Sequence, residues 1–341
     1  MKKEILVNSE FQATRVAVVE DGHLEEYHVE RQTDKQLVGS IFKGRVSSIV
    51  PGIGAAFIDI GLEKNGFLYV TDVVGQGVLD SDDTDYGEEA APPQQRRGRH
   101  EPVPQIAEVL KKDQEVLVQV VKEPFGTKGA RLTCQISLAG RFVVFMPHHP
   151  HVGISKRIDD RKERDRIRQI VRSVAPPKES GLIVRTAAAG ADPKVLERDI
   201  RFLVHQWKQI QRRVTTKPSP SCVHEEFGLV LRMVRDVMTE QFERLVVNDR
   251  NEYKRIDNFM RAAVPTLRPK LVLYNGEAPL FQAHGIQKDI DRIYEPRATL
   301  KSGGHIVIEQ TEALVAIDVN TGKFTGTRNL EETAFRTNCE A

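Results

Sequence analysis

The spacing of apolar residues changes along the chain. From residue 3 to residue 74 they fall in short β-rich runs broken by turn formers. "TRVAVVE" and "HLEEYHVE" flank Asp21-Gly22, the two-residue signal of a β-hairpin. "GSIFKGRVSSIVPGIGAAFIDIGLEKNGFLYVTDV" predicts further short strands interrupted by glycines. Strand-like runs resume at "QEVLVQVVKEP" and "GARLTCQISLAG". Between them, residues 75–105 are acidic, then rich in Pro and Gln, then basic. Such a segment buries too little apolar surface to offset its ordering entropy, so it is expected to be a disordered insert within one β domain.

Further on, the period lengthens. Residues 159–174 predict a helix with Ile167, Ile170, Val171 and Val174 on one face, ended by Pro176-Pro177. "GLIVRT" predicts a short buried strand. Asp192-Pro193 has the N-cap and N1 order that opens a helix, whose apolar stripe is Leu196, Ile200, Leu203, Trp207 and Ile210. "TTKPSPS" at 215–221 breaks the pattern. Helices at about 228–242, 250–263 and 286–294 then alternate with strands at about 244–247, 270–274 and 305–319. That alternation predicts an α/β class, and no internal repeat is visible.

Composition adds bounds. The 341 residues allow two or three domains, at the usual prior of about 150 residues each. The formal net charge is +2, so a basic surface must come from local clustering. Cys134, Cys222 and Cys339 have no zinc-site spacing, and an odd, scattered set fits reduced thiols. No apolar run reaches the ~18 residues that span a bilayer, and the N-terminus is too weakly apolar for a signal peptide. A cytoplasmic protein is expected.

Three places carry candidate chemistry. In "TEALVAIDVNTGKFTG" an apolar run ends at Asp318, and Asn320 shares its face two residues on. With both faces apolar, the run is expected to be a central strand. An acid at its end suits Mg²⁺, with Lys323 and Arg328 to offset phosphate charge. The same letters also suit a turn closed by Asp and Asn. The second place is residues 43–73, where Phe57 and Phe67 sit on short strands near Lys43, Arg45, Lys64 and Lys128. Aromatics among cations on a small barrel can stack bases, though both rings could equally be core. The third is Arg185-Thr186 with Arg157, a guanidinium beside a hydroxyl that suits an anionic terminal group, or a solvated arginine at a strand end.

Together these segments resemble the bacterial ribonuclease E/G family over nearly the whole chain outside 75–105. "KGRV…GAAFIDIG…GFLYVTD" resembles the family's S1 domain. "ISLAGRFVVFMP…GISKR" and "GLIVRTA" resemble its sensor of 5′-monophosphorylated RNA ends. "LYNGEAPLF", "LKSGGHIVIEQTEALVAIDVNTG" and "NLEETAFRTNCEA" resemble its catalytic region.

The resemblance implies an RNase-H-like subdomain (1–38 and 215–278), an S1-type OB barrel (39–135), a 5′-sensor (136–214) and the start of a DNase-I-like α/β subdomain (279–341). It implies Asp318 as a Mg²⁺-binding catalytic residue assisted by Asn320. Phe57, Phe67 and Lys128 would contact RNA. Arg157, Arg185 and Thr186 would hold the 5′-phosphate with the backbone near Gly140 and Val144. The implied activity is Mg-dependent endonucleolytic hydrolysis of single-stranded RNA (rRNA precursors and mRNA), leaving 5′-phosphate and 3′-hydroxyl ends. The family's second metal-binding aspartate and its Cys-Pro-x-Cys zinc link between protomers of a homo-oligomer are expected beyond Ala341. As it stands, the chain would then be a truncated form, and the alternative role is a non-catalytic RNA-binding and 5′-end-sensing module.

Overall fold

The computed structural model describes the chain apart from residues 1, 32–35, 75–83, 86–103, 175, 178, 312–313 and 327–328. The insert expected at 75–105 therefore lies almost entirely outside the described residues, as does Arg328. The described residues form a mixed α/β structure with four sheets.

The first sheet joins chain segments far apart in sequence. Strands Lys3–Ser9, Ala13–Glu20 and His23–Arg31 make an antiparallel meander. Its tight turn is at Asp21-Gly22, where both residues have positive φ (48° and 85°), as a two-residue hairpin of this hand requires. Strand Phe242–Val247 pairs parallel with Lys3–Ser9, and Leu271–Leu273 adds parallel beyond it. Residues alternate between two covered faces. Ile5 and Val7 pack with helices Leu229–Asp236 and Arg250–Ala263. Leu6 faces the other way onto Leu280, Phe281, Ile286 and Ile290.

The second sheet is a closed barrel of five strands: Ile41–Val50, Ala55–Asp59, Gly66–Tyr69, Arg131–Thr133 and Glu115–Lys122, with the last pairing back onto the first. This closure is that of an OB-like domain. Strand Ser221–His224, which follows the break expected at 215–221, pairs along the start of the first barrel strand. The barrel's interior includes Val46, Ile58, Leu68, Val118 and Leu132.

The third sheet is built on Val143–Met146, Gly181–Val184 and Val152–Ser155, with short strands Leu138–Ala139 and Thr84–Asp85 at its edges. Helices Arg161–Val174 and Pro193–Thr216 cover it through the apolar faces foreseen from their spacing. Asp192 caps the second helix, accepting from Lys194 N at 2.7 Å.

Two expectations are corrected here. Residues 228–242 are not one helix: it stops at Asp236, and a strand begins at Phe242. Nor is 305–319 one central strand. Strands His305–Gln310 and Val315–Asn320 pair antiparallel in a three-strand sheet with Arg297–Thr299, and Val315–Asn320 lies at the edge. The physical cause is a lack of cover. Helix Leu330–Glu340, whose buried residues are the small Thr333 and Thr337, packs near that strand, and Val315 and Ile317 stay 58% and 60% exposed.

Candidate functional site

On the barrel, the period-two rule decides where the aromatics point. Ala56 and Ile58 flank Phe57 and are fully buried; Gly66 and Leu68 flank Phe67 and are buried too. Phe57 and Phe67 therefore stand on the outer face, half-buried against each other. They are directly paired across the strands, with ring centroids 5.4 Å apart in an edge-to-face contact. Tyr69, two residues past Phe67 on the same face, continues the row at 4.5 Å. Arg131, opposite Phe67 on the next strand, lays its guanidinium 5.3 Å from the Tyr69 ring and pairs with Asp72. Sequence reasoning missed Tyr69 and Arg131, although Tyr69 has the same i+2 spacing.

Cations surround this row unequally. Lys43 and Arg45 both pair with Glu115. Lys64 donates to Gly126 O at 2.5 Å, tying its loop to the 123–129 turn. Lys128 stands exposed in that turn, bridged through its backbone to Phe125. The structure thus brings Phe57 and Phe67 together, and puts Lys128 on a loop next to the strand that carries Arg131.

In the third sheet, Arg185 and Thr186 follow the strand Gly181–Val184. Arg185 Nη1 donates to Gly140 O (2.8 Å) and to Asp236 Oδ1 (2.7 Å). Burial opposes the charge of Asp236, but hydrogen bonds from Arg235 and Arg185 outweigh it and hold its pKa below the ordinary value. Thr186 Oγ1 lies 3.1 Å from Ser155 Oγ, which also accepts from Arg157 N at 3.3 Å. Ser155 is thus the link between Arg157 and Thr186. The turn carrying Gly140 is fixed by Asp199, whose carboxylate accepts from the N–H groups of Arg141, Phe142 and Val143. Burial pushes the Asp199 pKa up against those three hydrogen bonds. A Cβ at Gly140 would meet Asp199 Oδ2 at 2.6 Å, so a larger residue there would displace the carboxylate that fixes this turn. Val144 sits between Ala139 and Ile183 in the ladder. Sequence reasoning missed Asp236 and Ser155. Asp236 comes from a helix and lies fifty-one residues downstream, leaving no local signal, whereas Ser155 stands inside "GISKR".

Asp318 is exposed near the end of its edge strand, opposite Val307. Asn320 Nδ2 donates to Asp318 Oδ2 at 2.8 Å, which confirms that the two share a face. Lys323 lies exposed just beyond. Among the described residues no group of three or more His, Cys, Asp or Glu could hold a metal ion. Asp318 offers Mg²⁺ its carboxylate, oriented by the Asn320 amide, with no larger cluster about it among the described residues. That matches the sparse end of the range for an ion that keeps waters and shares substrate phosphates. The cysteines are separate and free.

The Ribonuclease E/G family model matches residues 137–341. Ribonuclease G of Haemophilus influenzae is 41% identical over 338 residues, covering 99% of this chain and 66% of that protein. Ribonuclease G of Escherichia coli is 38% identical over 341 residues, covering all of this chain and 67% of that protein. This chain belongs to the ribonuclease E/G family. Ribonuclease E of Escherichia coli is 35% identical over 345 residues, which are 31% of its length. The chain thus spans about two thirds of the ribonuclease G relatives and about a third of ribonuclease E. Among the described residues no helix is long and apolar enough to cross a membrane.

Proposed function

We propose that the chain serves an endoribonuclease acting on single-stranded RNA, with strand binding, 5′-end recognition and part of the cleavage site on separate surfaces. One observation carries this: the family match runs through both the Arg185-Thr186 cluster and Asp318-Asn320. In this proposal the first sheet is the RNase-H-like unit, the barrel the S1 domain, the third sheet the 5′-sensor and the last sheet the start of the catalytic region.

Each surface has a physical task. The Phe57–Phe67 row offers apolar faces on which successive bases stack, and Lys128 offers charge to the backbone. Arg185, Thr186 and Arg157 present cationic and hydroxyl donors suited to a terminal phosphate, with Gly140 and Val144 fixing the backbone beside them. The Arg185–Asp236 ion pair holds the guanidinium in place and must share it when a phosphate binds. Asn320 keeps Asp318 aimed by donating to one of its oxygens. Asp318 would hold Mg²⁺ through its carboxylate; when bound, the ion supplies charge against the scissile phosphate and acidifies a water.

Cleavage of a short AU-rich RNA by the full gene product, with Mg²⁺ and with EDTA, tests this. Asp318→Asn is expected to lower the rate by at least about 10²-fold without loss of RNA affinity, as expected for electrostatic catalytic groups. Undiminished cutting by that variant refutes the role. A second reading, an RNA-binding and 5′-end-sensing module without chemistry, is favoured by the lack, among the described residues, of a group of three or more metal-binding side chains. Normal cleavage by the 341-residue chain rejects it.

A further inference from the structure

Helix Pro193–Thr216 shows a pattern that none of these roles uses. Its buried side, with Leu196, Ile200, Leu203, Trp207 and Ile210, packs into the core of the third sheet. On the opposite side lie Lys194, Arg198, Arg201, His205, Lys208 and Arg212, spaced four, three, four, three and four residues apart. At about 100° per residue these six fall within one narrow stripe diametrically across from the core. All six are exposed. At 1.5 Å per residue the stripe is roughly 27 Å long.

Charge on this helix is not balanced as on an ordinary solvated face. The chain's net charge is +2, yet this helix carries six Lys and Arg against Glu197 and Asp199, and Asp199 is buried on the far side. Glu197 pairs with Arg201. Among the described residues Lys194, Arg198, Lys208 and Arg212 have no ion-pair partner. The neighbouring helix Arg161–Val174 also carries six Lys and Arg against two acids, but both of its acids pair on the surface, as Glu163–Arg166 and Asp165–Arg168. A solvated helix normally gains from such pairs, and a stripe of about 27 Å with a single one, Glu197–Arg201, leaves most of its cations for an anion to neutralise.

We propose that this stripe is a second RNA-binding surface, tracking the phosphate backbone of a segment distinct from the one on the barrel. This rests on the RNA reading above and extends it. The stripe has no Phe, Tyr or Trp, and its one ring, His205, is hydrogen-bonded to Gln209, so it is suited to neutralising phosphates rather than to stacking or reading bases. An anionic membrane is the poorer partner: an interfacial helix must insert an apolar face beside its basic one, and here that face is committed to the core.

The test uses the 341-residue chain with two labelled RNAs, a single-stranded decamer and a forty-nucleotide RNA with a hairpin. Arg198→Gln/Lys208→Gln/Arg212→Gln should weaken the long RNA on the order of tenfold and reduce the slope of log affinity against log salt by about 2 to 3. Binding of the decamer and the Tm should stay unchanged. Arg198→Lys/Arg212→Lys, which keeps the charge, should retain wild-type affinity. An unchanged long-RNA affinity and salt slope in the Gln variant overturns the stripe while leaving the barrel reading intact. If the wild type binds neither RNA, the RNA reading itself fails and the stripe falls with it. Loss of binding to phosphatidylglycerol vesicles, with RNA binding intact, assigns the stripe to a membrane and equally overturns the proposal.

Discussion

Strands Lys3–Ser9 and Val315–Asn320 carry nearly the same kind of sequence, "KEILVNS" and "VAIDVN", and have opposite fates. Ile5, Leu6 and Val7 are completely buried, whereas Val315 and Ile317 are more than half exposed. The difference lies in the neighbours. The first strand has paired strands on both edges and helices on both faces. The second has one paired edge, and helix Leu330–Glu340, which packs near it, buries only small threonines. An apolar run states what a strand can bury, while the rest of the fold decides whether it does. It also gives the polar residues near each strand end different surroundings. Asn8 ends the first strand in a closed network, with Asn248 Nδ2 donating to it at 2.6 Å. Asp318 and Asn320 end the second, with Asp318 open to solvent and Asn320 partly so.

That contrast can be broken by mutation. Leu6→Ala should cost about 2–5 kcal/mol of stability, the range for truncating a fully buried leucine. Ile317→Ala should cost under about 0.5 kcal/mol, as at exposed positions. Urea unfolding measures both, and similar losses would show that the two strands are equally covered. Next in size, Phe57→Ala/Phe67→Ala should weaken single-stranded RNA by about 1–3 kcal/mol per stacked base, roughly tenfold or more in Kd. Fluorescence anisotropy reads this, and an unaltered Kd would return both rings to a purely structural role. Arg185→Ala should reduce the preference for 5′-monophosphorylated over 5′-hydroxyl RNA by on the order of tenfold, one charge-assisted contact, with little effect on cleavage of the latter.

The smallest effect concerns Glu163, whose hydrogen bonds from Arg166 and from Gly190 N hold its pKa down at about 2. A carboxylate with a depressed folded pKa adds stability above its ordinary value of 4.5, and that gain disappears as pH falls towards 2. Glu163→Gln should therefore lower Tm slightly at pH 7, and the two proteins should converge near pH 2. A constant difference at all pH values would assign the effect to shape rather than charge.

Much of this architecture was legible from local pattern. The Asp21-Gly22 turn, the Asp192 cap and the apolar stripe of the long helix are decided within a few residues, and each was readable. So was the shared face of Asp318 and Asn320, which follows from the strand period alone. The outward aim of Phe57 was open by its own identity, but its neighbours Ala56 and Ile58 already argue for it. Long-range partners were not legible. Asp236 reaches Arg185 across fifty-one residues, and the cover on an apolar strand depends on elements no local window contains. The early stop of the helix at Asp236 was hidden as well, because "VMTEQF" continues an apolar spacing that the structure spends on a turn and a strand.

The central claim is that Asp318 belongs to the cleavage site while the barrel holds the strand. The most direct measurement pairs RNA affinity with single-turnover cleavage for Asp318→Asn in the full gene product. The account predicts an unchanged Kd and a rate reduced at least about 10²-fold. Cleavage at the wild-type rate by that variant would contradict it.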